Sequence, residues 1–174
     1  MNGIVDFVRY KRGIAGLAEL ERAYGKRLEF KDEINYPDEE FRSFAFAAHR
    51  IMGYNDPLLC QRHFGKAIFK MLAEKYPDLL GRYGDAYIFM KNVEKVHASI
   101  PPVNIGKKIR VVDYDDAERW VKIVYSSPNK LDGFFDQLIR EASNYYGEKV
   151  DITYLSKMTD GSESTIAIVK FLEK

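Results

Sequence analysis

Cysteine, histidine and tryptophan are scarce in this chain of 174 residues, and each scarcity closes off a class of function. Cys60 is the only cysteine. No intrachain disulfide is possible, and a reducing cytoplasm is the expected setting. Three histidines, His49, His63 and His97, stand far apart, so a metal site built from several His and Cys ligands is not expected. There is no GxGxxG after a strand, no GxxxxGK[ST], no HExxH, no CxxC and no GxSxG. No nucleophile has a base beside it, and the chain does not read as an enzyme. Adjacent Asp115 and Asp116 fall in a turn, where solvation accounts for them. Excess charge is lacking too: 27 Lys and Arg against 26 Asp and Glu leave a formal net charge of +1. Neither nucleic acid nor an anionic membrane is implied by that balance. No apolar run is long enough to cross a bilayer. The opening "MNGIVDFVRYKRG" has no apolar core of a targeting peptide.

What is present is a soluble-type composition, 46% apolar and 30% charged, with twelve Tyr and eleven Phe. Such aromatic content fits either a large aromatic core or one that surrounds a flat ligand. The length suits one domain, residues 1–174, with a helical half (1–100) and a sheet-containing half (101–174).

Helical spacing dominates the first hundred residues. "IVDFVRYKRGIAGLAELERAYG" carries Val5, Val8, Leu17 and Leu20 at helical intervals, with Gly13 and Gly16 as places to break it. "NYPDEEFRSFAFAAHRIMG" opens on Pro37 and acidic residues and stops at Gly53. "NDPLLCQRHFGKAIFKMLAEKYP" has Asp56 as N-cap, Pro57 in the first turn and Pro77 beyond the end. A fourth helix is expected from about Gly84 to Ile100. After Pro101 and Pro102 the period changes. "KKIRVVDYD" and "ERWVKIVYSS" alternate as strands, and "KLDGFFDQLIREASNYYG" returns to helical spacing. "KVDITYLSKMTDGSESTIAIVKF" supplies two more strands around Asp160-Gly161. The expected fold is α+β: a helical N-terminal half, then an antiparallel four-stranded sheet in the order β-β-α-β-β, with helices on one face.

Of the histidines, His49 falls in the last turn of a helix, where an imidazolium suits the dipole. His63 sits early on the next helix; both read as surface or boundary residues. His97 lies among Val93, Val96 and Ile100. Spacing leaves two readings open, a hydrogen-bonded core histidine or a ligand.

"EKVH" four helices into the chain, followed by a proline pair, resembles the proximal helix of the heme-nitric oxide/oxygen binding (H-NOX) domains. The opening "MNGIV", the acidic helix start "PDEEFRSFAFAA", the Arg-x-x-Gly helix seen as "RHFG", and the Tyr76-Pro77 boundary are similar too, in the same order. The family's Tyr-x-Ser-x-Arg signature corresponds to "YSSPNKL". The resemblance implies heme b, with His97 as axial iron ligand and the Tyr125 and Ser127 hydroxyls on the propionates. It puts Asn129 where the family has arginine, and an amide cannot replace a permanent cation opposite carboxylates. Lys130 compensates only if the loop turns it inward. Pro102 corresponds to the proline that presses on the heme, although the segment between His97 and the prolines is shorter than in the family. Val5, Ile68, Leu72 and Phe134 would form the distal wall. Oxygen-binding members carry a tyrosine where Phe134 stands, so an all-apolar wall implies nitric oxide and CO rather than O₂. The implied role is sensing, with the signal handed to a separate histidine kinase, cyclic-dinucleotide enzyme or chemotaxis receptor. The alternative is a heme-free relative that binds an apolar small molecule or a protein partner in the same cavity.

Overall fold

The computed structural model describes residues 1–31, 34, 36–100 and 109–172. Helix α1 (Asn2–Tyr24) is bent at Gly13, whose φ of 64° and ψ of −159° suit glycine and few other residues. Gly16 stays helical. Helix α2 (Asp38–Met52) places Asp38, Glu39 and Glu40 in its first turn, at the positive end of the dipole, and stops on a left-handed Gly53. Ile4, Val5 and Val8 of α1 pack on Phe44, Ala47 and Ala48 of α2 and form one apolar cluster. Helix α3 (Pro57–Lys75) begins where the Asp56 carboxylate accepts the Leu58 N–H at 2.8 Å. Helix α4 (Pro77–Gly81) follows at once, because Pro77 suits a first helical position as well as it suits a stop.

The helix expected over 84–100 is two helices, α5 (Ala86–Lys91) and α6 (Val93–Ser99). Asn92 explains the break. Its side-chain amide donates to the Ile88 carbonyl at 2.9 Å, and its backbone N–H is shared between Ile88 and Phe89 carbonyls. A side chain that competes for backbone acceptors loosens the helical ladder at that point.

Strands β1 (Ile109–Asp115) and β2 (Trp120–Tyr125) form a hairpin, with a bulge between Val111 and Asp113. Helix α7 (Asp132–Tyr145) crosses over to β3 (Lys149–Ser156), and β4 (Thr165–Leu172) returns between β3 and β2. The sheet is antiparallel throughout, in the spatial order β1-β2-β4-β3. Val121, Ile123, Ala167 and Val169 face α7 and bury against Phe135 and Ile139. Each fully buried Val, Ile or Phe side chain among them contributes about 1.5–3 kcal/mol. The α+β architecture matches the order read from the sequence. Its apolar interior is divided into two clusters, one between α1 and α2 and one between the sheet and α5–α7.

Candidate functional site

Helix α6 carries His97. Val93 and Val96 are buried in the sheet-side cluster, which turns this face of the helix inward. The His97 ring is partly buried, and no hydrogen bond to it is found among the described residues. Burial pulls its pKa below the ordinary histidine value, which favours the neutral imidazole, the form with a free nitrogen lone pair. Three positions earlier, the Glu94 carboxylate accepts the Val111 N–H of edge strand β1 at 2.7 Å. That bond ties the His97 helix to the sheet.

The apolar residues expected as a distal wall come from three helices. Val5 is buried in the α1–α2 cluster. Ile68 and Leu72 on α3 and Phe134 on α7 are partly buried and belong to neither cluster as described. Ile68 reaches α1, since its Cδ1 lies 2.6 Å from where a Gly3 Cβ would stand. Phe134 stacks on Phe64 with centroids 5.1 Å apart, and Phe64 meets Phe7 edge-on at 5.9 Å. Phe64 and Phe7 were not singled out by the sequence reading. Phe64 sits one turn before Ile68 on α3, a spacing that could have pointed to it.

Helices α3 and α7 approach closely because glycine lies at their contact. A Cβ on Gly65 would meet the Phe134 carbonyl oxygen at 3.0 Å, and one on Gly133 would meet the Leu58 carbonyl oxygen at 2.8 Å. The glycine of "RHFG" therefore has a packing reason.

At the end of β2, the signature loop gathers Tyr125, Ser127 and Asn129. The Tyr125 ring stacks flat on Phe135 at 4.7 Å. Burial pushes its phenol up to about 12, against a smaller opposing effect of the Ser127 hydroxyl. It is a neutral hydrogen-bonding group across the physiological range. Buried Ser127 donates its N–H to the Met158 sulfur at 3.2 Å and accepts the Asn129 N–H on Oγ at 3.3 Å. A turn closes from the Lys130 N–H to the Ser127 carbonyl at 3.0 Å, with Pro128 and Asn129 at its centre. Lys130 has a φ of 47° and an exposed side chain. Gln61 of α3 clamps this loop, donating to the Lys130 carbonyl at 3.4 Å and accepting the Gly133 N–H at 2.9 Å. The Asn129 amide nitrogen donates to Asp38 Oδ1 at 3.3 Å, while its own Oδ1 is buried without a hydrogen-bond partner. Pro102 lies outside the described residues.

The donor chemistry fits a heme at the iron, through a neutral imidazole, and at the carboxylates, through two hydroxyls. It departs at Asn129, where no cation stands. Among the described residues no group of three His, Cys, Asp or Glu could hold a metal ion, so an all-protein metal centre is not an alternative there. The remaining polar candidates are committed to structure. Asp115 accepts the Ala117 and Glu118 N–H groups at 2.8 and 2.9 Å, and Asp116 takes the Tyr87 hydroxyl and Lys91. His63 stacks on Tyr54 at 5.1 Å. His49 is partly buried, with its Nε2 unpartnered. A shallow groove over Phe7, Ala67 and Met71 touches none of the candidate residues.

A family model described as Haem-NO-binding matches residues 1–154. The chain belongs to this family. Solved H-NOX structures share its fold: an H-NOX protein from S. oneidensis in the Fe(II)NO state superposes with a TM-score of 0.79 at 17% identity, over 99% of this chain and 97% of that one. An oxygen-binding H-NOX domain related to soluble guanylate cyclases, as its oxygen complex, gives 0.77 at 17% identity, over 99% and 93%. An H-NOX domain from Shewanella oneidensis in the Fe(II)CO state gives 0.71 at 20% identity, over 99% and 97%. No curated protein matches. No helix among the described residues is long and apolar enough to cross a membrane.

Proposed function

We propose that this chain acts, as one domain over residues 1–174, as a heme-based sensor of nitric oxide and CO that signals to a separate partner protein. The observation that carries the reading is His97: a partly buried imidazole whose neutral form burial favours, on a helix whose Val93 and Val96 lie in the sheet-side cluster, with no hydrogen bond to the ring among the described residues. A heme b, when bound, supplies the ferrous iron that takes a diatomic ligand. The chain's own residues do the rest. His97 would hold the iron from α6. Tyr125 and Ser127 would place hydroxyls on the propionates, and Val5, Ile68, Leu72 and Phe134 would keep water and hydrogen-bond donors from the opposite side. The absence of a donor at Phe134 favours NO and CO over O₂, because bound O₂ carries charge that a donor stabilises. Helix α6 is joined to the sheet through Glu94, so a change in what His97 holds has a path to β1.

The partner classes this reading favours are a histidine kinase, a cyclic-dinucleotide enzyme or a chemotaxis receptor, met in a reducing cytoplasm. The purified, reduced protein should show a Soret band that shifts on adding NO or CO and not in air-saturated buffer. His97→Ala should abolish or displace that band. A colourless protein that takes up no heme would overturn the reading. Asn129 favours a second reading, a heme-free relative that binds an apolar molecule or a protein partner in the same place; a heme titration separates the two.

A further inference from the structure

The two edges of the sheet are guarded differently. On β1, the Glu94 carboxylate of α6 takes the Val111 N–H, the Asp113 side chain takes the Tyr114 N–H, and a bulge falls in mid-strand. Such devices keep an edge strand from pairing with another chain. On β3 the backbone pairs with β4 alone, and among the described residues no hydrogen bond reaches its other side. The β3 bulge comes late, between Tyr154 and Ser156, so residues 149–154 are regular. Charge does not defend the strand either, since Lys149 and Asp151 are of opposite sign. The core is open along the same margin. Inward residues of β2 and β4, such as Ile123 and Val169, are fully buried, whereas Val150, Ile152 and Tyr154 of β3 are only partly so. A free row of backbone donors and acceptors beside an apolar margin is what an added strand fills.

We infer that the occupant is β3 of a second copy, paired antiparallel about a twofold axis at Ile152, so that two four-stranded sheets join into one. The register follows from the pleat. Opposed residues in an antiparallel pair share a face, so the axis passes through a residue rather than between two. The regular stretch 149–154 is centred between Asp151 and Ile152. Centring on Asp151 sets that carboxylate against its own copy. Centring on Ile152 sets Ile152 against itself and Val150 against Tyr154 on the inner face, and Asp151 against Thr153 on the outer one. The last two pairs occur twice by symmetry. Apolar then meets apolar, and the Thr153 hydroxyl has a carboxylate to donate to. The Tyr154 ring is held in place for this by its hydroxyl, which donates to Asp136 at 2.6 Å. So short a joint buries less than the about 1,600 Å² of a standard interface, which makes the dimer weak and concentration-dependent. None of this depends on the heme reading.

Sedimentation equilibrium of the full chain should show monomer and dimer in exchange, with a dissociation constant of about 10 μM to 1 mM. Thr153 is exposed, so its charge can be changed without touching the core. Thr153→Lys sets a cation opposite each Asp151 and should tighten the dimer by about two- to thirtyfold. Thr153→Asp opposes like charges and should weaken it by a similar factor, and adding Asp151→Lys to that variant should restore it. In a Cys60→Ala background, Ile152→Cys should cross-link to its own copy on mild oxidation, because opposed Cα atoms stand about 4.5–5.5 Å apart. Val112→Cys, on the guarded edge, should not. A chain that stays monomeric up to about 1 mM overturns the inference. So does a dimer that neither Thr153 substitution moves and Ile152→Cys does not trap, since it forms through another face.

Discussion

Replacing Gly133 with alanine tests whether the α3–α7 contact holds the distal wall in place. The added Cβ would stand 2.8 Å from the Leu58 carbonyl oxygen and 3.2 Å from both Gln61 Cβ and Gln61 Oε1. The first of these is backbone, near the Asp56-capped start of α3, and has no rotamer by which to withdraw. Overpacking of this kind costs about 1–3 kcal/mol. Gly133 lies in the first turn of α7, where the gain in helix propensity is small, so the net loss should be about 2 kcal/mol. For a chain of this length that lowers the midpoint of thermal unfolding by about 4–8 °C. Gly65→Ala differs in a way the geometry ranks. Its Cβ would meet Gln137 Cβ and the Phe134 carbonyl oxygen, both at 3.0 Å, while an alanine inside α3 regains about 1 kcal/mol of helix propensity. Its net effect should be about 1 kcal/mol or less. Gly81→Ala, with nothing within 4 Å of the added carbon, is the control and should leave the midpoint unchanged or slightly raised. Calorimetry of the three variants gives the order directly. A Gly133→Ala protein that melts at or above the wild type would show that the two helices do not meet as closely as this packing requires.

Three further outcomes follow from individual contacts. Glu94→Ala should speed amide exchange at Val111 by about tenfold, the equivalent of one lost hydrogen bond, while Glu94→Gln, which keeps an acceptor, should restore most of the protection. Burial alone would raise the Asp136 pKa, but hydrogen bonds from Arg140 and Tyr154, with the Arg140 and Arg62 charges, outweigh it and hold the carboxyl below its usual value. The resulting stability is complete above the unfolded value of about 4 and is lost as pH falls through the folded one. Asp136→Asn should therefore be less stable than wild type near neutrality, with the gap closing below about pH 4 in urea titrations. The Cys60 thiol, pushed up to about 11 by burial, should alkylate at least about a hundredfold more slowly in the native protein at pH 8 than in urea. Equal rates would place that thiol in solvent.

Elements whose signals are local were readable in the sequence. Asp56-Pro57 starts α3, Gly53 ends α2, and the period-two run through Val121 and Ile123 forms a strand as expected. The break at Asn92 was not readable, because hydrophobic spacing runs through it and the interruption comes from an amide bonding back to its own helix. The candidate site divides similarly. His97 was marked by its place on an apolar face, but its burial is a property of the packed structure. Phe64 shares the helical row of Ile68, a signal in the sequence, but its stacking on Phe134 of α7 is set by the packing of the two helices. The bond between Asn129 and Asp38 spans 91 positions, and nothing in either local sequence announces it.

The break at Asn92 also divides the anchoring of the two short helices it separates. Helix α5 is fixed at both ends. The Asp85 carboxylate caps it through the Ile88 N–H at 2.7 Å and also pairs with Arg119, which in turn holds buried Glu148 with both its oxygens at 3.1 Å. Further along α5, Tyr87 and Lys91 both reach Asp116 at 2.6 Å, and the Lys91 ammonium lies 3.9 Å from the Tyr114 ring centre. Helix α6 has two buried valines and the Glu94 bond to an edge strand. Among the described residues, a displacement of His97 has to overcome the Glu94 hydrogen bond and the packing of Val93 and Val96, whereas moving α5 would break a network of ion pairs. If the two were one continuous helix, those pairs would resist every motion of the histidine. With Asn92 between them, at φ −106° and ψ 13°, the clamp on α5 does not pass to α6 through a continuous helix.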